Sequence, residues 1–276
     1  MSAMPFRFAA QSTPQDAKSW LTMASHAEEL GYSSLLMPDG MQLLSPLPAL
    51  ALAAGATTSL HVGTFVLASP LRPSALVAWD AHTLSVLTGG RFELGIGTGR
   101  PEVVNQSVRQ AGQPPTTGAQ RLALVEQTID ALRRLDADAD LHTPVLMAVA
   151  GPKARAVAAA KADIITLAVD PLISREDAAR LTAAIREEAG DRAGEIEFAL
   201  PIFVVGDEPP PWLRQFLQVD FATLVAHDSL RILRGSPREM ADELQRRREI
   251  LGVSYHSVNA TFCDQFAPVV ELLAGR

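Results

Sequence analysis

Residues Leu60 to Gly97 read "LHVGTFVLASPLRPSALVAWDAHTLSVLTGGRFELGIG", and their order decides the fold. An apolar run, "LHVGTFVLA" (Leu60 to Ala68), gives way to a helix-like stretch from about Pro73 to Leu87. A second apolar run, "FELGIG" (Phe92 to Gly97), follows. Runs of this length, without strict polar alternation, fit strands covered on both faces.

The same rhythm extends in both directions. Before it stand "FRFAAQ" (Phe6 to Gln11), a helical pattern from Pro14 to Leu30 that stops at Gly31, "SSLLMP" (Ser33 to Pro38) and a helix from Pro46 to Thr57. After it come a loop, the amphipathic "AQRLALVEQTIDALRRL" (Ala119 to Leu135), "PVLMAVA" (Pro144 to Ala150) with a helix to Lys161, and "DIITLAV" (Asp163 to Val169) with a helix from Arg175 to Ala189. "EIEFALPIFVVG" (Glu195 to Gly206) leads through an irregular helical region to "SPREMADELQRRREILG", where Ser236 reads as N-cap, Pro237 as first helical residue and Gly252 as stop. "SYHSVNA" (Ser254 to Ala260) and a helix from about Gln265 to Leu273 close the series. Eight strand–helix units predict an α/β fold, a (β/α)8 barrel in one domain over residues 1–276, with a doubly wound open sheet as the alternative.

Composition narrows the function. With 24 Lys+Arg against 31 Asp+Glu the net charge is −7, which argues against a nucleic-acid or anionic-membrane surface as the main partner. The single cysteine, Cys263, excludes an internal disulfide framework and suits a reducing cytoplasm, and it reads as a packing residue. No secretory leader is visible at the N-terminus, and "SPLPALALAAGATTSL" is too short to span a bilayer. The expectation is a cytoplasmic protein. Six scattered histidines and one cysteine form no metal-ligand pattern, so no metal is expected.

A barrel puts its chemistry at the C-terminal ends of the strands. Asp39 follows the second strand in "PDG", where it either faces a central pocket or stabilises its own turn. Gly95, Gly97 and Gly99 have G-x-G-x-G spacing, not the G-x-G-x-x-G of a dinucleotide fingerprint, and Pro101 interrupts a helix opening directly after them. The glycines either let a ligand approach or serve packing; Thr98 and Arg100 add a hydroxyl and a fixed positive charge. The turn Gly151-Pro152-Lys153 opens a helix whose amides suit an anion, or it is an ordinary Gly-Pro turn. The run "QRRREI" (Gln245 to Ile250) reads as a solvated helix face.

Taken together, Val62 to Arg100 resembles the longest signature of the luciferase-like monooxygenase superfamily, with an L-R-x-P-type turn, a helix and S-x-G-R-F-x-L-G-x-G-x-G. "AEELGYSSLLMPD", "RLALVEQTIDAL", "ADIITLA" and the C-terminal "GSPREMADELQRRREILGVSYHSVN" and "FAPVVELLAG" extend the resemblance over nearly the whole chain, the last two toward the branch that uses the deazaflavin coenzyme F420. The resemblance implies an oxidoreductase that moves a hydride between F420 and an organic substrate. FMN-dependent monooxygenation and a non-catalytic cofactor-binding barrel are the alternatives. It implies that Gly63, Thr64, Phe65 and Val66 lie against the cofactor ring, with a distorted or cis peptide between Thr64 and Leu67. Thr98, Gly99, Arg100, Gly151, Pro152 and Lys153 then serve its polar tail. Asp39 or Glu102 is the candidate proton donor, because Gly40 stands where many relatives carry a histidine. Relatives also imply a homodimer. Only "DADADLHT" separates Leu135 from Pro144, where relatives carry an excursion over the active site. This implies a shortened lid and an open pocket for a bulky or peptide-like substrate.

Overall fold

All eight apolar runs form strands in a computed structural model of the protein, which describes residues 4–276 apart from the side chains of Glu102 and Val103. In chain order the strands are β1 (Arg7–Gln11), β2 (Ser34–Met37), β3 (His61–Thr64), β4 (Leu67–Ala68), β5 (Phe92–Gly97), β6 (Val145–Val149), β7 (Ile164–Leu167), β8 (Glu197–Ile202), β9 (Val204–Val205), β10 (Ile232–Leu233) and β11 (Val253–Asn259). The third run is thus split into β3 and β4, while β9 and β10 form a small parallel pair of their own.

The remaining strands close into a ring. β1 lies between β2 and β11, and pairing continues through β8, β7 and β6 to β5. β5 then meets both pieces of the third run, Val62 opposite Phe92 and Gly63 opposite Glu93, then Leu67 opposite Ile96 and Ala68 opposite Gly97. Every ladder is parallel, as helical crossovers require, and the molecule is a (β/α)8 barrel. Local chemistry sets the helix boundaries. Capping boxes at Thr117–Gln120 and Ser236–Glu239 start the helices Gly118–Asp138 and Pro237–Leu251, and Gly252, at φ +73°, ends the second.

Two sequence expectations change here. Pro101 does not block a helix after the glycines; it occupies the first turn of the helix Pro101–Gln110, where its missing N–H costs nothing. In "QRRREI" the middle arginine is not solvated. Arg247 is 2% exposed, pairs with Glu243 at 2.7 Å and donates to the carbonyls of Leu230 and Ile232.

The barrel interior changes character along its axis. At the N-terminal end, Arg7 bridges Glu93 and Glu197, its ring neighbour Tyr255 donates to Glu93 at 3.2 Å, and Ser254 donates to Glu197 at 3.4 Å. Burial opposes the charge on Arg7, but the carboxylates of Glu93 and Glu197 outweigh it and raise its pKa. Burial, with Glu93 beside it, also pushes the Tyr255 phenol up, so it stays protonated. Above this floor Ala9, Leu36, Leu146, Ile164, Ala199 and Tyr255 pack together. Outside the strands, the main core joins the barrel wall to the helices. There His256 lies fully buried beside Phe6 and Phe8, accepting no charge: burial first, then Arg247, lowers its pKa to about 3.

Arg91 ties the outer ring to the wall. Its guanidinium donates to the carbonyls of Ala54, Leu60 and Thr88, joining the ends of the helices Pro46–Gly55 and Ser74–Leu87 to the start of β5. Among the described residues no helix is long and apolar enough to cross a membrane.

Candidate active site

Side chains alternate along a strand, so residues two beyond the interior cluster face the C-terminal mouth. On β1, β6, β7 and β11 these are Gln11, Ala148, Thr166 and Ser257, with Gly97 beside them on β5. They are small or polar, and Gln11 hydrogen-bonds Ser257 across the β1–β11 ladder. Sequence reading passed over Ser257; the alternation in "SYHSVNA" was its only signal.

The segment between β3 and β4 forms a shelf over this interior. Phe65 and Val66 are partly buried against the interior cluster, and the Phe65–Val66 peptide is cis, within the stretch where distortion was expected. Glycines on β5 make room for it. A methyl on Gly95 would overlap the Thr64 carbonyl oxygen, and one on Gly97 would lie 3.1 Å from Val66 and 3.8 Å from Ala148. Thr64 also donates its hydroxyl to the Gly95 carbonyl at 2.7 Å. Gly63 is similarly confined, 2.9 Å from the Glu93 carbonyl at its missing Cβ. The packing alternative therefore accounts for Gly95 and Gly97.

Gly99 and Gly151 part company. Gly99 has φ +68°, and the space of its absent side chain is filled by Val104 from the helix Pro101–Gln110. Gly151 has nothing within 4 Å of the Cβ it lacks. It is the N-cap of the helix Pro152–Lys161, no side chain caps the first amides there, and Pro152 and Lys153 are exposed beside it. Shelf and turn stand on neighbouring parts of the ring, since β5 pairs with β4 on the shelf side and with β6, whose end carries Gly151, on the other.

Asp39 faces neither an empty pocket nor its own turn. Its carboxylate, 1% exposed, accepts two hydrogen bonds from Arg72 at 2.8 and 3.0 Å and one from the Ala68 amide at 3.0 Å. Such a bidentate pair fixes the rim between β2 and β4. Arg72 was missed by the sequence reading although it stands in the quoted L-R-x-P-type turn. Thr98 is half-buried at the end of β5. Arg100 is exposed, with its guanidinium 4.2 Å from the Phe216 ring centroid. Glu102 belongs to the helix Pro101–Gln110, and its side chain lies outside the described residues.

One expectation is corrected by the direction of the chain. "DADADLHT" joins a helix to the start of β6, where Thr143 N–H bonds Asp136 at 2.8 Å and Val145 N–H bonds Asp163 at 2.7 Å. That is the floor side of the barrel, so its shortness does not widen the mouth and gives no ground for a bulky substrate. The long mouth-side connections are those after β5 and β8.

The sequence profile of luciferase-like monooxygenases matches residues 1–215. An uncharacterized protein of Mycobacterium tuberculosis is 31% identical over 116 residues, 33% of this chain and 40% of the relative, so this chain matches well under half of that protein's length. An F420-dependent secondary alcohol dehydrogenase, solved with an F420-acetone adduct, superposes with TM-score 0.76 at 16% identity, covering 97% of this chain and 98% of its own. The coenzyme F420 dependent tetrahydromethanopterin reductase from Methanopyrus kandleri gives 0.73 at 15% identity, over 98% and 99%. A long-chain alkane monooxygenase gives 0.75 at 13% identity, over 98% and 92%. At these identities the structural likeness is one of fold.

Proposed function

The chain belongs to the luciferase-like monooxygenase family, and from that premise we propose that it is an oxidoreductase that binds coenzyme F420 at the barrel mouth and moves a hydride between it and an organic substrate. One observation carries the reading: an apolar shelf, Phe65–Val66, adjoins an open, positively charged turn, Gly151–Lys153. A flat ring with an anionic tail suits that pairing. Phe65 and Val66, with Gly63 and Thr64 below them, would hold the ring, and the first amides of the helix Pro152–Lys161, with Lys153, the phosphate. Gly99 takes part by letting the helix Pro101–Gln110 seat closely, with Thr98 on the rim. A bound deazaflavin supplies two-electron hydride chemistry; the barrel orients it and excludes water. Asp39 is a positioning residue in this reading, since Arg72 and Ala68 engage its carboxylate.

Fluorescence titration of the purified protein with F420 and with FMN tests the cofactor. Tighter F420 binding, followed by substrate-dependent turnover, supports the proposal; tighter FMN binding or no binding of F420 overturns it. Lys153→Ala should weaken F420 binding about tenfold or more, as loss of a charge-assisted hydrogen bond implies, and Gly151→Asp should weaken it further. Unchanged affinity in both folded variants would place the tail elsewhere.

We also propose a homodimer. Leu76, Trp79, Val86 and Leu87 on one helix, with Met41, Leu44 and Leu52 on or before its neighbour, are exposed by 46% to 77%. Exposed apolar side chains gathered on neighbouring helices favour an interaction surface, and a two-fold axis would set the same helices of two copies against each other. Sedimentation should give a dimer, and Trp79→Glu a monomer of unchanged fold.

A further inference from the structure

The two longest mouth-side connections run from Thr98 to Thr117, after β5, and from Gly206 to Arg231, after β9. Between them, in ring order, stand the ends of β6 and β7, whose connections to the next helices are short, Ala150–Gly151 and Ala168–Ser174. Two high stretches of rim therefore flank a low one, and the low one holds the Gly151 turn.

The high stretches meet at Arg100 and Phe216. The guanidinium lies over the ring at 4.2 Å and Nη1 donates to the Phe216 carbonyl at 3.5 Å. Phe216 belongs to the short helix Leu213–Leu217 and is backed edge-on by Phe203 at 5.3 Å and Trp212 at 5.8 Å. Phe203 and Trp212 pack against the main core, whereas Phe216 itself is 42% exposed. Its ring thus stands on a firm base and offers one face outward, and that face carries Arg100. On the other side, Arg100 is the N-cap residue of the helix Pro101–Gln110, which Val104 and Val108 seat on Ala68 and Leu71. Both partners are anchored to different parts of the barrel, and the planar cation spans the space between them.

We propose that Arg100 and Phe216 form a clasp across the rim above β6 and β7, and that its release sets access to the Gly151 side of the mouth. Arg100 is then an access-determining residue and not a phosphate ligand. The functional consequence rests on the cofactor reading above; the clasp itself does not. A stacked cation at an exposed ring is a weak contact, so it opens readily and restrains without locking.

Amide hydrogen exchange of the cofactor-free protein tests it. Arg100→Ala and Phe216→Ala should each raise exchange in both the Leu213–Leu217 and Pro101–Gln110 helices about two- to fivefold, the range of an exposed cation–π contact. The double variant should add nothing beyond the larger single effect, because one contact is removed in each case. Arg100→Lys should fall between, keeping charge but losing the flat stack. Additive effects, or exchange that rises only on the mutated side, would overturn the clasp. Stopped-flow F420 association should then be faster in Arg100→Ala; an unchanged rate alongside raised exchange would overturn the access role and leave the cofactor reading to the titration.

Discussion

The two ends of the barrel are built on opposite principles. At the floor, Arg7, Glu93, Glu197, Ser254 and Tyr255 bond one another inside the ring, with both carboxylates buried and Arg7 partly exposed. At the mouth the inward positions are Gln11, Gly97, Ala148, Thr166 and Ser257, and the bidentate pair Asp39–Arg72 stands at the rim. A buried charge network contributes to the fold only while every member is present. Small, uncharged groups cost little to leave facing a cavity. In the proposed reading, the floor specifies the conformation and the mouth admits the ligand, at opposite ends of the same eight strands.

The largest expected effect breaks the floor. Arg7→Met leaves Glu93 and Glu197 buried without their shared cation, and urea unfolding should show a loss of about 3–5 kcal/mol. A loss under about 1 kcal/mol would mean that the network is dispensable and the contrast false.

The next sharpens the contrast with one chemical change made twice. Gly95→Ala forces a methyl into the Thr64 carbonyl and should destabilise by about 3 kcal/mol. Gly151→Ala, with open space around it, should stay within about 0.5 kcal/mol of the parent. Equal effects would erase the distinction between a packed glycine and an open one.

The smallest, over the pH window in which it is read, concerns the wall that joins the two ends. His256 has a folded pKa of about 3, against an ordinary value near 6.5 for the unfolded chain. Its contribution is full above about pH 6.5. As pH falls below that, the unfolded chain takes up a proton that the folded one refuses, so stability declines toward pH 3 by up to about 1.4 kcal/mol per pH unit. His256→Phe removes that component. Its unfolding free energy should fall less steeply than the parent's between pH 6 and pH 4.5, and parallel curves would show that the buried imidazole is protonated in the fold.

Much of this architecture was legible beforehand because burial on both faces writes itself as continuous apolar runs. All eight strands followed from that, as did the capped helix after Ser236. The site was less legible. Glycine records only a missing side chain, and whether Thr64, Val104 or a ligand uses the space depends on residues tens of positions away or on the next helix. Arg247 was misread for a related reason: its exposure depends on whether Leu230 and Ile232 bring carbonyls to it, which no local periodicity encodes. The length of "DADADLHT" does not say which end of the barrel it occupies; its course from a helix into β6 puts it at the floor.

Arg91 carries a consequence for association. By holding the carbonyls of Ala54, Leu60 and Thr88 on one guanidinium, it pins the C-terminal ends of the helices Pro46–Gly55 and Ser74–Leu87, the two helices that bear Leu52, Leu76, Trp79 and Leu87. In the dimer proposed above, a second copy docking there would meet helix ends already pinned and would give up little backbone freedom in doing so. The calorimetric signature of such an encounter is a negative heat-capacity change set by the apolar area removed from water, without the large opposing entropy of coupled folding.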